Sequence, residues 1–193
     1  TQLNEPGAAI CLPHRRRHKP YMRTIVRAWQ EAELLLAEKS RQVVYSWAMV
    51  GVHLHLAMTR PGSLIGFQSE NFPKAVELLN RAALMYDTLP EALRRWGPLS
   101  DTPKARARKI EDRIEFPEMR SRIIALPCGP NQVRMFTWTA LFMDEVQHWE
   151  PDEDFEESYT SALAAIKGGG RLTAVSTVKH PNRYHYRLCR GLV

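Results

Sequence analysis

Two adjacent carboxylates, Asp144 and Glu145, end the apolar run Leu141-Phe142-Met143. A run of this kind is typical of a buried strand in a parallel sheet, and open α/β sheets bind ligands outside the carboxyl ends of such strands. An acid pair at that edge can hold Mg²⁺ with its first member and polarise an attacking water with its second. The plainer interpretation is a core strand that leads into polar residues.

A chain that hydrolyses a nucleoside triphosphate also needs a phosphate-binding loop upstream of the acid pair. Residues 39–46, with the sequence KSRQVVYS, lie at such a position, between an expected strand and an expected helix. Ser46 fills the hydroxyl position of the usual motif G-x-x-x-x-G-K-[ST], but Tyr45 stands in place of its lysine. Lys39 and Val44 stand in place of its two glycines, so the segment does not fit the usual motif.

The same segment resembles the deviant phosphate loop of the large terminase subunits of tailed bacteriophages, K-[SA]-[RA]-[QR]-V-G-[YFM]-[ST]. Two later segments resemble further motifs of that family, in the same order along the chain. The run from Leu141 to Glu145 is similar to the second nucleotide motif, and Val175-Ser176-Thr177, followed by Pro181, is similar to the coupling motif. The resemblance covers roughly residues 20–181.

The resemblance implies a binding site for ATP and Mg²⁺. The implied nucleotide-binding loop consists of Lys39, Ser40, Arg41, Gln42, Val43, Val44, Tyr45 and Ser46. Within it, Lys39 is expected to contact the β- and γ-phosphates, in place of the lysine that the usual motif carries later. Ser46 and Asp144 are expected to hold Mg²⁺.

The resemblance also implies roles in catalysis and coupling. Glu145 is expected to orient and activate the attacking water, while Ser176 and Thr177 sense the γ-phosphate and transmit its loss. Ring-shaped motors use an arginine from a neighbouring subunit to stabilise transition-state charge. Arg134 is the first candidate and Arg41 its rival, and each could instead be an ordinary surface arginine.

Val44 departs from the family pattern, which usually carries glycine at this position. Glycine serves where the backbone takes a positive φ or approaches a phosphate closely, and a β-branched residue resists a positive φ. We therefore expect either a different loop path or weak nucleotide binding. Our prediction is that the isolated chain binds ATP weakly.

The elements that position these residues alternate between helices and strands. Residues 21–36 have helical spacing, although 33–37 could equally form a short strand, and 97–118 are expected to form a surface loop. Further strands are expected at residues 63–67, 122–127, 139–145 and 171–177, and helices at 47–58, within 71–96 and at 155–166. This order predicts an α/β protein with a mainly parallel sheet and helices on both faces. The resemblance implies the P-loop NTPase-like fold of the ASCE type.

Three regions are expected along the chain: a basic N-terminal arm at residues 1–20, an ATPase domain at 21–181, and a tail or linker at 182–193. Family members continue into a nuclease domain of the ribonuclease-H type, and the residues after 181 are too few to form one. We therefore expect ATP hydrolysis without DNA cleavage.

Composition restricts the other classes of function. The chain is 44% hydrophobic and 25% charged, as globular proteins are, and it has no apolar run of membrane-spanning length. Its net charge of +6 permits contact with nucleic acid without requiring it. The three cysteines are far apart and show no ligand spacing, so we expect free thiols in a reducing compartment.

The resemblance implies a motor that uses ATP to drive double-stranded DNA into a viral procapsid. The implied partners are DNA, the portal protein, the small terminase subunit and further copies of this chain in a ring on the portal, with no membrane. The implied location is the host cell cytoplasm, with transient docking on the procapsid. A helicase-like, nucleic-acid-stimulated ATPase and a catalytically weak nucleotide-fold module used for assembly are the alternatives; Val44 and Tyr45 favour the latter.

Overall fold

The structure, a computed structural model, describes residues 19–41, 44–94 and 106–193, together with Gly97, Leu99, Ser100, Thr102 and Lys104. Residues 1–18 of the expected arm lie outside the described residues, as do Gln42 and Val43 of the expected phosphate loop. The described part of the chain alternates between helices and strands in the order that the sequence predicts.

Seven strands form one sheet, in the order β1-β7-β6-β2-β5-β4-β3. The strands are β1 (Leu34–Lys39), β2 (Leu64–Gln68), β3 (Arg108–Ile110), β4 (Arg113–Phe116), β5 (Ser121–Leu126), β6 (Ala140–Asp144) and β7 (Arg171–Thr177). The first five in the spatial order are parallel, whereas β4 and β3 are antiparallel to their neighbours. The expected mainly parallel sheet is confirmed, with an antiparallel hairpin added at one edge.

Six α-helices connect and cover the strands. They are α1 (Tyr21–Glu31), α2 (Tyr45–Thr59), α3 (Phe72–Asp87), α4 (Pro130–Arg134), α5 (Asp152–Ala165) and α6 (Tyr184–Cys189) in the described part of the chain. Of the two possibilities at residues 33–37, the strand is observed, because α1 ends at Glu31 and β1 begins at Leu34.

The prediction of a surface loop over residues 97–118 is wrong for its second half, which forms the β3–β4 hairpin. The charged residues suggested exposure to solvent, but Arg108 and Arg113 both pair with Glu115 within the hairpin. Ile114 and Phe116 alternate with these charges and are fully buried. Two buried positions are too few to produce a detectable period in the sequence.

Apolar side chains alternate along β6 and fill two separate cores. Ala140 and Phe142 face the core that α1, α2 and α3 cover, and Leu141 and Met143 face the core that α4 and α5 cover. The sheet is therefore covered by helices on both faces, as the sequence predicts. Because both neighbours of β6 in the sheet run parallel to it, its acidic end lies beside the ends of two other strands.

The tail, which has no clear period in the sequence, forms the short helix α6. Its residues Tyr184 and Leu188 pack against the core beneath α5, and His185 is fully buried. In the described part of the chain, no helix combines the length and the apolar character that crossing a bilayer requires.

Candidate nucleotide site

The candidate site lies at the carboxyl ends of β1, β7 and β6. Strand β7 separates the other two, and its Thr177 pairs directly with Lys39, the last residue of β1. On its other side, β7 pairs Val175 with Asp144, the last residue of β6. Since all three strands are parallel, Lys39, Thr177 and the acid pair meet at one edge of the sheet.

Lys39 bridges the two carboxylates. Its Nζ lies 2.6 Å from Glu145 Oε1 and 3.7 Å from Asp144 Oδ1. The same ammonium donates a hydrogen bond of 3.2 Å to Ser46 Oγ. The lysine side chain is only 11% exposed, so this cation is held among the three groups that the sequence assigned to phosphate, metal and water.

Ser46 and Asp144 contact each other directly. Ser46 lies in the first turn of α2, and its Oγ donates a hydrogen bond of 2.9 Å to Asp144 Oδ1. Burial raises the pKa of the Asp144 carboxyl, and the Lys39 charge offsets this only in part. A second cation beside this buried carboxylate would favour its ionised form. A hydroxyl and a carboxylate oxygen are also the hard ligands that Mg²⁺ prefers, so the donor set fits this ion.

Glu145 is held at both carboxylate oxygens. Lys39 occupies Oε1, while the backbone N–H and the hydroxyl of Thr177 both donate to Oε2, each at 3.1 Å. Burial alone would raise the pKa of Glu145, but the hydrogen bonds and charge of Lys39 and the bonds from Thr177 hold it below its usual range. The carboxylate is therefore ionised at neutral pH and can accept a proton or a hydrogen bond from water.

Glu145 and Val44 both adopt left-handed backbone conformations. Their φ values are 53° and 58° respectively, a region that costs non-glycine residues about 1–3 kcal/mol. Val44 immediately precedes α2, so the conformation directs the chain from the loop into the helix. The loop thus keeps the positive φ that glycine would supply in the family pattern, and the valine bears its steric cost.

His148 and Gln147 contribute to the site although the sequence did not single them out. Thr177 Oγ1 uses its proton on Glu145, so at 2.9 Å it accepts a hydrogen bond from His148 Nε2. The Gln147 N–H donates to Ser176 Oγ at 3.0 Å, beneath the acid pair. Their only signal in the sequence is that two polar residues follow the acid pair directly.

The remaining predicted residues lie at different distances from this centre. Ser40 and Arg41 line an open cleft together with Lys39 and Thr177. Ser176 is fully buried and contacts the turn after β6 rather than the cleft. These side chains place the expected loop and the expected coupling strand on opposite sides of one cleft.

Two further predicted residues do not face the cleft. Tyr45 is buried among the helices, and burial raises its pKa to about 12. Arg134 is at the end of α4, where its Nε donates 2.9 Å to Ser161 Oγ of α5, so it is not part of the Lys39 cluster in its own chain. An arginine that acts on a neighbouring subunit has to be on the surface, and a role for Arg134 in a neighbour's site remains a prediction.

Comparisons with known proteins identify the fold. Neither a family model nor a curated protein matches the sequence. The structure of the HK97 bacteriophage large terminase aligns with 88% of this chain at a TM-score of 0.64 and 15% identity, and 34% of that protein is covered. The large terminase of a thermophilic bacteriophage gives a TM-score of 0.60 at 14% identity over 88% of this chain and 40% of its own.

The ATPase domain of the Thermus phage P74-26 large terminase aligns with 88% of this chain, at a TM-score of 0.55 and 18% identity, and 67% of that chain is covered. The present chain therefore spans about a third of the HK97 protein and two thirds of the separate ATPase domain. At these identities the likeness establishes the fold, which is that of the terminase ATPase domains. The P-loop NTPase-like fold of the ASCE type is confirmed.

Proposed function

We propose that this chain is the ATP-hydrolysing domain of a phage large terminase and powers the movement of double-stranded DNA into a procapsid. The observation that supports it most directly is the cluster of Lys39, Ser46, Asp144, Glu145 and Thr177, at the sheet edge where α/β proteins bind ligands. A fold alone does not imply function, whereas this set of side chains has a specific chemistry.

Each residue around the phosphates has a separate task. Ser46 and Asp144 hold Mg²⁺, which neutralises charge on the phosphate oxygens. Lys39 contacts the β- and γ-phosphates. Because its ammonium lies 2.6 Å from Glu145 in this structure, it must exchange that carboxylate for a phosphate oxygen when ATP binds.

That exchange leaves Glu145 free at Oε1 and still fixed at Oε2 by Thr177. The free oxygen then accepts a hydrogen bond from the attacking water and orients it towards the γ-phosphate. General base catalysis of this kind contributes roughly 10²–10⁴-fold to a rate. Lys39 thus links nucleotide binding to the release of the water-activating group.

Thr177 is the first contact through which loss of the γ-phosphate can spread. Its hydroxyl joins Glu145 to His148, and Ser176 next to it binds the turn that carries Gln147. A shift of Glu145 therefore pulls on both the end of β7 and the turn after β6. We propose that this pair of contacts transmits hydrolysis to the DNA-gripping surface.

The assembly follows from the same proposal. Copies of this chain form a ring on the portal protein together with the small terminase subunit, and each site is completed by an arginine of the neighbouring copy, for which Arg134 is the first candidate and Arg41 the second. The complex acts in the host cell cytoplasm while docked on the procapsid. The left-handed conformation of Val44 favours weak ATP binding by the isolated chain, and it also supports a second candidate function as an assembly module.

ATP hydrolysis by concentrated protein, with and without double-stranded DNA, tests the proposal. We expect Glu145→Gln to lower the rate by about 10²-fold or more, because it removes a general base without changing the size of the side chain. Glu156→Gln, an exposed carboxylate on α5, is the matched control and should be as active as wild type. A folded wild-type chain without activity, or equal activity of the Glu145→Gln variant, contradicts the proposal.

A further inference from the structure

A second cluster of chemically reactive side chains lies behind the candidate nucleotide site, where the end of β1 meets α6. It consists of Glu38, His185 and Cys189, each of which offers one potential metal-ligand atom. These three atoms all lie within 4.8 Å of one another. None of the three takes part in the proposed ATPase mechanism.

Backbone geometry brings the three residues together. His185 and Cys189 are four residues apart on α6 and therefore lie on one side of that helix. Glu38 precedes Lys39 on β1, and successive residues of a strand point to opposite faces. Lys39 thus faces the acid pair while Glu38 faces α6. The sequence carries no sign of the cluster, because the third residue is separated from the other two by most of the chain.

Neighbouring groups orient two of the three side chains as they do around bound metal ions. His185 Nε2 lies 3.3 Å from the Ala174 carbonyl oxygen, to which it can donate its proton, and this leaves Nδ1 as the nitrogen with a free lone pair. Arg190 donates 2.8 Å to Glu38 Oε2 and leaves Oε1 for a ligand. Histidine ligands commonly donate their other N–H to a carbonyl, and ligating carboxylates are hydrogen-bonded in turn.

Glu38 Oε1 is the observation that calls for a ligand. This oxygen is buried and has no hydrogen-bond partner among the described residues. A buried acceptor without a partner is rare because its desolvation is uncompensated, and an ion or a water often accounts for one. Cys189 Sγ lies 3.9 Å from His185 Nδ1, a separation that a tetrahedral ion with ordinary bond lengths can bridge after small adjustments.

We propose that Glu38, His185 and Cys189 form a binding site for a divalent transition metal ion of the Zn²⁺ class. A thiolate, an imidazole and a carboxylate are the ligands that Zn²⁺ takes in proteins, and three protein ligands leave one position for water. Mg²⁺ is disfavoured here, since it avoids sulfur. The Gln147 amide nitrogen, 3.3 Å from His185 Nδ1, must turn away when the ion binds.

Metal at this site would connect α6 to the phosphate loop. Glu38 is covalently next to Lys39, and Gln147 lies in the turn after the acid pair. An ion held by β1 and α6 therefore fixes the end of β1 from the side opposite to the nucleotide. Binding of the ion does not depend on the proposed ATPase function, so the two proposals can fail separately.

Titration of the metal-free chain with Co²⁺ tests the site, because a cobalt–thiolate bond gives a charge-transfer absorption band that other ligands do not. We expect one equivalent of Co²⁺ to produce this band and one equivalent of Zn²⁺ to abolish it. Cys189→Ser should remove the band, and Glu38→Gln should weaken binding by at least about tenfold, as the loss of a supporting group alone does. Cys128→Ser and Cys11→Ser are the matched controls and should retain the band.

Each outcome decides the proposal. Absence of the cobalt–thiolate band in the folded wild-type chain overturns it. Persistence of the band in the Cys189→Ser variant places the ion at another cysteine and overturns it as well. Circular dichroism of each variant confirms folding, and Glu38→Gln, at a partly exposed position, supplies an independent test if Cys189→Ser fails to fold.

Discussion

Substitution of Val44 by glycine and by alanine would reveal whether the phosphate loop stores backbone strain. Val44 has φ 58° and ψ 18°, a left-handed conformation in which a Cβ atom clashes with the following carbonyl oxygen. The clash costs about 1–2 kcal/mol for a residue with a Cβ atom, and β-branching adds to it. Alanine keeps the Cβ atom and therefore most of this cost, whereas glycine removes it.

The two substitutions differ mainly in this strain, because both delete the outer methyl groups of the half-buried valine. Glycine loses about 0.4–1 kcal/mol relative to alanine through the greater freedom of its unfolded chain. The difference leaves the Val44→Gly variant more stable than the Val44→Ala variant by about 1 kcal/mol. For a domain of this size, that corresponds to about 2–4 °C in melting temperature.

Urea unfolding of the two variants measures this difference directly. The exposed residue His55, within α2, provides the control pair, since at an ordinary helical position alanine is more stable than glycine by about 1 kcal/mol. The order of stability should thus be opposite at the two positions. A Val44→Ala variant that is as stable as Val44→Gly, or more stable, refutes the inference of strain.

Three further predictions concern other residues of the site and core. Burial lowers the pKa of His53 to about 4, so as the pH falls from about 6.5 towards 4 the unfolded chain gains a proton that the folded chain does not. Stability should fall by up to about 1.4 kcal/mol per pH unit in this range, and pH-dependent urea unfolding should give a smaller slope for His53→Phe. Thr177→Val should lower ATPase activity by about tenfold through loss of a hydrogen bond to a charged group, while Thr177→Ser retains activity. Arg134→Ala and Glu145→Ala subunits should each be inactive alone and regain ATPase activity when mixed; if mixtures stay inactive, Arg134 does not act between subunits.

Local patterns in the sequence were sufficient for most of the parallel sheet. The apolar run before Asp144 and the alternation of helices and strands follow from burial on both faces, which affects every residue of a strand. The β3–β4 hairpin escaped prediction because its two buried residues, Ile114 and Phe116, lie among charges that pair with one another. Helix α6 is too short for a periodic signal.

The chemistry of the nucleotide site was also legible in the order of residue types along the chain. Lys39, Ser46 and the acid pair each occur next to the end of a strand or the start of a helix, and such positions can be read locally. Their contacts could not be read in this way. Lys39 reaches Glu145 because β7 lies between β1 and β6 and brings Thr177 to the same edge.

The residue types of this protein thus specify which groups can act on a phosphate, whereas strand order and packing decide which of them meet. Strand order depends on hydrogen bonds and buried area between segments far apart in the chain, and these leave no periodic trace in any one segment. The same reason explains why the sequence identified Val44 as an exception but not its φ value. It also explains why Glu38, His185 and Cys189 become neighbours only in the folded chain.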